Sequence, residues 1–286
     1  MRISDDIKII RELLNISQED FAKEIGVPFE SINRWETGAL TPTEKNVNMI
    51  YSYAFDNKIY LNIIHEQMLK DEFKKENDIV LFHGSKNQII GDIDLVHSRG
   101  TNDFGSGFYL GESFDQAALY ISFLNSSHIY AYLLNKKDLK VVSFDVSQDW
   151  MFAIAYYRGW LDKYKNHEKI KDLVAKIEET DIIIAPIADN KMFDLIEEFV
   201  SGMTTDVQCE HALSATNLGY QYVIKSNKAL SRLSLLNEMF LSDSERKHYL
   251  TKRVELSKVS QDKVKVSRIE YRNKGNYIEE ILKWRD

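Results

Sequence analysis

The stretch Asp103-Phe104-Gly105-Ser106-Gly107-Phe108-Tyr109-Leu110 and, just after it, Asp115-Gln116-Ala117-Ala118-Leu119-Tyr120 joins two periodicities. Its first half ends in a short apolar run, which predicts a strand over Gly107 to Leu110; the second half has helical spacing and predicts a helix over Phe114 to Phe123. Outward from this pair, similar runs bounded by turn residues predict strands at Ile79 to His83, Ile129 to Leu134, Lys140 to Phe144, Asp181 to Ala185 and Tyr220 to Ile224. Helical patterns lie between them at Trp150 to Tyr164, Glu168 to Glu179, Met192 to Val200 and Lys228 to Phe240. Beyond about Asn77 the chain therefore reads as mixed α and β.

Before Asn77 every strong pattern is helical: Ile7, Ile10, Leu13 and Leu14, then Phe21, Ala22 and Ile25, then Ile32 and Trp35, then Val47, Ile50 and Tyr51. Ser17 ahead of Gln18-Glu19-Asp20 is an N-cap signal, and Gly26 and Gly38 are stop signals. Tyr60 to Glu76 reads as a last helix. From Ser242 the charged tail reads as helix, closing with an amphipathic Tyr277 to Trp284 segment. The expected fold class is α+β, in three parts: an all-α domain over 1–76, a mixed α/β domain over 77–241 and a helical extension over 242–286.

The composition narrows the function classes. A chain of 286 residues that is 44% hydrophobic can bury a sizeable core. Its one cysteine, Cys209, leaves no disulfide framework and no cysteine cluster for zinc. His97, His128, His167, His211 and His248 lack ligand spacing, so no metal is expected. With neither a signal-peptide pattern nor an apolar run of spanning length, a cytoplasmic location without membrane insertion is the expectation. A net charge of −7 argues that any nucleic-acid contact is local. No phosphate-binding P-loop and no G-x-S-x-G elbow is present.

Ile16 to Val27, followed by Ser31-Ile32-Asn33-Arg34-Trp35-Glu36-Thr37-Gly38, resembles the phage-repressor or Cro-like helix-turn-helix family. The resemblance implies a recognition helix from about Pro28 to Glu36 that turns Phe29, Glu30, Ser31, Asn33 and Arg34 toward a major groove, with Gln18 near a phosphate. Residues 1 to 60 nevertheless hold seven Lys or Arg against ten Asp or Glu. A protein-contact or dimerisation role therefore stands beside DNA binding, and a homodimer is among the expected assemblies.

Three motifs carry the chemistry: Phe82-His83-Gly84-Ser85, the Asp103 to Tyr120 stretch, and Gly219-Tyr220-Gln221-Tyr222-Val223-Ile224. Each alone is an ordinary structural feature. In this order they resemble the ADP-ribosyltransferase fold in its poly(ADP-ribose) polymerase-like branch, which carries a histidine, a tyrosine and usually a glutamate on three strands. More narrowly, they resemble a bacterial family of transferase-like domains of unassigned function with an Asp-Phe-Gly-x-Gly-Phe-Tyr motif and a later Pro-Ile-Ala-Asp, here Pro186 to Asp189. The resemblance spans Ile79 to Leu235.

It implies NAD as co-substrate and catalytic roles for His83, Tyr109 and Gln221. The Gly84 backbone would bond the nicotinamide amide, and His83 and Ser85 the hydroxyls of the adenosine ribose. Tyr109 and Tyr120 would pack the nicotinamide between two rings, and Arg99 would meet the pyrophosphate. Asp103, Phe104, Gly107, Phe108 and Asp189 complete the implied binding set. Two positions depart from the family. Gln221 stands where the polymerases carry glutamate, so it cannot act as a base; chain elongation is not expected, and single transfer stays open if the target or another carboxylate, such as Asp189 or Asp103, supplies the missing help. Ala117 stands where serine often binds the nicotinamide amide. The implied function is mono-ADP-ribosylation by a toxin or phage-defence effector, with a small inhibitory partner protein expected for a toxin. Two other readings stay open: a transcriptional regulator with a degenerate domain that senses NAD or ADP-ribose, and a transferase-shaped interaction domain.

Overall fold

The computed structural model describes residues 3–95, 100–124, 128–215 and 218–283. Five helices come first: α1 (Ile3–Leu14), α2 (Gln18–Ile25), α3 (Phe29–Glu36), α4 (Glu44–Asp56) and α5 (Leu61–Glu72). Then follow β1 (Asp78–Ser85), β2 (Phe108–Gly111), α6 (Phe114–Ile121), β3 (His128–Asn135), β4 (Val141–Ser143), α7 (Gln148–Tyr157), α8 (Glu168–Glu178) and β5 (Ile182–Pro186). The chain continues through α9 (Asn190–Val200), α10 (Asp206–Ser214), β6 (Tyr220–Ile224), α11 (Asn227–Leu230), β7 (Leu233–Phe240), α12 (Asp243–Glu270) and α13 (Ile278–Ile281). The class is the expected α+β: an N-terminal helical region, then seven strands mixed with helices, then a long C-terminal helix. No helix among the described residues is long and apolar enough to cross a membrane.

Two compact units alternate along the chain. The first takes residues 1–89, 113–133 and 235–253, and the second 90–112, 134–234 and 254–286.

In the first unit, Ile7, Ile10, Phe21, Ala22, Ile32 and Trp35 converge with Ile50, Tyr51 and Ala54 in one helical core. The caps that the sequence advertises set its angles. Ser17 Oγ accepts from Asp20 N at 3.0 Å, and Gly26, at φ +71°, lets Val27 N reach Ala22 O at 2.9 Å. A fork of charge closes this core: Arg11 Nη2 and Nε donate to Glu36 Oε1 and Oε2 at 2.6 and 2.9 Å. A second core lies between one face of β1 and β3 (Val80, Phe82, Ile129, Ala131) and the buried side of α6 (Phe114, Ala117, Ala118, Ile121). Helix α5 belongs to both. Its Leu69 and the following C-cap residue Phe73 pack on the second core, Glu66 Oε2 accepts the Phe114 N–H at the start of α6 at 2.9 Å, and Asn62 Nδ2 donates to Phe240 O at 2.9 Å.

Burial pushes the Glu36 carboxyl up, but the Arg11 bonds and charge outweigh it and hold the pKa below its ordinary value. A depressed pKa contributes stability above the unfolded value near 4.3 that is lost as pH falls through the folded one. Glu36→Gln is therefore expected to unfold more easily than the parent at pH 7, by about 2 kcal/mol, with the gap closing below about pH 4. Thermal melts at a series of pH values check this; a gap independent of pH would show that the fork contributes shape alone.

In the second unit, β4 runs parallel to β5, and β6 pairs antiparallel with both β5 and β2, in the order β4-β5-β6-β2. Ile182, Ile183, Val223 and Ile224 give β5 and β6 the β-branched content that a buried central strand favours. Helix α7 is apolar on every side, and Trp150 to Ala155 are all buried to 0% exposure. Ile278 and Leu282 return from the C-terminus to the same core.

Three expectations need correction. Lys228 to Phe240 is not one helix: α11 stops at Leu230, and Leu233–Phe240 forms β7 beside β3. Its leucines, Glu238 and Met239 favour helix, but pairing with the neighbouring strand overrides that preference. The helix expected to reach Tyr164 ends at Tyr157, because Gly159 at φ +78° lets Trp160 N bond Ala155 O at 2.8 Å and turns the chain. Of the amphipathic tail expected over Tyr277 to Trp284, the described residues 277–283 are helical only in the four-residue α13, and Trp284 lies outside the described residues.

Candidate functional site

The antiparallel register of β2 and β6 sets Tyr109 opposite Val223 and Gly111 opposite Gln221. Residues at this spacing alternate between faces, so Tyr109 and Gln221 share one face, and the missing side chain of Gly111 leaves room across from Gln221. Gln221 is buried, and both of its amide protons are committed: Nε2 donates to Asp103 Oδ2 at 3.1 Å and to Pro186 O at 3.2 Å. Two acceptors on one side settle which atom of the amide is nitrogen. Its carbonyl oxygen is left as the atom able to receive a hydroxyl proton.

Asp103 is the hub. Its other oxygen, Oδ1, accepts from Arg158 Nη2 at 2.8 Å, and the Arg158 guanidinium lies over the Phe193 ring, 3.3 Å from its centroid. The turn from Phe104 to Gly107 is held from two more sides. Tyr109 Oη donates to Gly105 O at 2.7 Å and accepts from Phe104 N at 3.1 Å, while Lys225 Nζ donates to Phe104 O at 2.8 Å and Ser106 O at 3.0 Å. Burial raises the Tyr109 hydroxyl pKa well above its ordinary value and lowers that of Lys225. Tyr109 thus stays a neutral donor, with its hydroxyl engaged in the turn.

Several residues of the implied binding set have structural employment here. Phe104 is fully buried and stacks on Phe144 at 5.7 Å, inside the apolar core. A Cβ at Gly107 would stand 2.7 Å from Val223 Cγ1 and 2.9 Å from Ile224 O, so close strand approach explains this glycine. Phe108, next to it, is buried on β2. Asp189 is the N-cap of α9 and accepts from Lys191 N and Met192 N at 3.0 and 2.9 Å. Arg99 lies outside the described residues.

In the first unit, His83 and Gly84 close β1 at Ser85, whose Oγ donates to Asn87 O at 2.6 Å. A Cβ at Gly84 would meet Ile121 Cγ2 at 2.5 Å and Ala117 O at 2.8 Å, so β1 and α6 touch backbone to backbone there. On α6, Tyr120 is 61% exposed and stands edge-on to the exposed Phe123, their centroids 6.2 Å apart.

Phe29, Glu30, Asn33 and Arg34 are exposed and Ser31 is half-buried, with Ile32 and Trp35 turned into the core. Gln18 Oε1 accepts from Asn33 Nδ2 at 3.3 Å, tying the start of α2 to the middle of α3.

Sequence reasoning missed Arg158 and Lys225. Each acts on the 103–107 turn from a distant segment, and neither sits in a motif; an arginine and a lysine near chain turns carry no signal of their own.

Two family models match the chain. One, described as helix-turn-helix, covers residues 7–50. The other, described as "Protein of unknown function (DUF3990)", covers residues 79–235. No curated protein and no solved structure matches the chain.

Proposed function

We propose that this chain, which belongs to the DUF3990 family, uses residues 79–235 as an NAD-dependent mono-ADP-ribosyltransferase and its helix-turn-helix DNA-binding module to place that activity at DNA. The observation that carries the reading is the shared face of Tyr109 and Gln221 on the paired strands β2 and β6. In such a reaction the bond between ribose C1′ and the nicotinamide nitrogen breaks and its electron pair leaves with nicotinamide. The acceptor nucleophile bonds C1′ and gives up its proton to a base. Gln221 is suited to receive a ribose hydroxyl proton through its carbonyl but supplies no charge to the oxocarbenium-like centre; Asp103, 3.1 Å behind it, brings the nearest carboxylate described.

A second reading is favoured by the same cluster. Gln221 is locked by Asp103 and Pro186 and no glutamate stands in its place, as in a regulator that binds NAD or ADP-ribose without consuming it. A toxin or phage-defence role, with a small inhibitory partner, belongs to the first reading.

Incubation of the purified chain with labelled NAD and a bacterial lysate separates them. A transferase puts label into protein or nucleic acid, releases nicotinamide, and loses both in His83→Ala; Gln221→Glu keeps or raises the rate. NAD that binds and is never consumed, with Gln221→Glu equally inert, supports the sensor. NAD affinity unchanged in His83→Ala would overturn the assignment of this site under both.

A further inference from the structure

Charge is distributed very unevenly in this acidic chain. Although the whole carries −7, residues 246–274 hold ten Lys or Arg against three Asp or Glu. Nearly all of this stretch is α12, a helix of 28 residues and so about 42 Å long. Within the second unit, Lys258, Lys263, Lys265, Arg272 and Lys274 are all exposed. Lys258, Lys263 and Arg272 have no ion-pair partner among the described residues, and Lys265 has only the exposed Asp262 at 3.7 Å. Lys258 and Lys265 are seven residues apart, which puts them on one side of the helix about 10.5 Å apart, and Arg272 and Lys274 follow at its C-terminal end.

Conversely, the helix-turn-helix module has an excess of acidic residues, so it lacks the phosphate-neutralising charge that gives most DNA-binding proteins their grip. We propose that the C-terminal half of α12 and the turn after it bind the phosphates of double-stranded DNA, through Lys258, Lys265 and Arg272. Duplex DNA presents about one charge per 1.7 Å of axis, so an open row of cations meets phosphates without needing a particular base sequence. An anionic membrane is the less suited partner. A helix that lies in a bilayer surface gathers its apolar residues on one side, whereas the exposed Val254 and Leu256, two positions apart, stand about 160° from each other around α12.

The test compares the full-length parent with the triple variants Lys258→Gln/Lys265→Gln/Arg272→Gln and Lys258→Glu/Lys265→Glu/Arg272→Glu. Binding of a labelled random-sequence duplex of roughly 30 base pairs is followed by fluorescence anisotropy across a salt series. The neutral variant is expected to bind roughly 10- to 100-fold more weakly at low salt and to flatten the slope of log K against log salt by about 2 to 3, and the reversed variant to bind more weakly still. Arg34→Ala, on the other DNA-facing surface, should retain the dependence on these three cations. Circular dichroism melts should coincide for all, since each side chain is exposed. Parent-like affinity and slope in the triple variants would overturn the proposal. So would a parent that ignores duplex DNA at low salt, or one that binds single-stranded RNA or phosphatidylserine vesicles more tightly than the duplex.

Discussion

Asp103→Ala is expected to lower the stability of the second unit by about 3 kcal/mol, read as an earlier denaturation midpoint by tryptophan fluorescence. Two deficits add in that variant. Arg158, whose side chain is 25% exposed, loses its one carboxylate partner among the described residues, and stacking on Phe193 offsets part of the loss. The buried Gln221 amide loses one of its two acceptors, which costs about 1–3 kcal/mol for a group shut away from water. Asp103→Asn should lose less than half as much, because an amide oxygen still accepts from one neighbour while the charge is gone. If the alanine variant unfolds at the parental midpoint, the Arg158–Asp103–Gln221 cluster is not a supporting structure and its part in aiming Gln221 falls with it.

Gly84→Ala should be as damaging, by a different route. The added methyl would sit 2.5 Å from Ile121 Cγ2 and 2.8 Å from Ala117 O. The isoleucine can rotate; the carbonyl belongs to the α6 backbone, so the helix has to retreat from β1. Forced overpacking of this kind costs roughly 1–3 kcal/mol, and more where backbone has to give. Hydrogen exchange should show lost protection in α6 and the end of β1, with α2 and α3 unaffected. Retained protection in α6 would mean that the contact is looser than the distances indicate.

The strands were legible where apolar and aromatic residues dominate a short run, as in Ile182-Ile183-Ile184 and in Tyr220 to Ile224 on either side of Gln221. Leu233–Phe240 was not, because its residues favour helix and only the neighbouring strand makes it extended. The 103–107 turn was recognisable as a motif, yet its meaning was not: Phe104 reads as a binding residue until its ring is found against Phe144, and Gly107 until Val223 is found against it. Arg158 meets Asp103 across 55 positions of chain, a contact no local pattern encodes. The exposed face of α3, by contrast, follows directly from helical period once Ile32 and Trp35 are assigned to the core.

Asn62 and Glu66 give the shared helix α5 an evolutionary consequence. Exchange of the DNA-reading module for a relative with different specificity would carry these two side chains away with it, leaving the Phe114 N–H and the Phe240 carbonyl without their partners. A successful graft must bring an asparagine and an acidic residue at the same two places on its last helix. Natural recombination between such genes should therefore be rare, and new DNA-site preferences should arise through point changes on α3 at Phe29, Glu30 and Arg34, whose side chains are exposed.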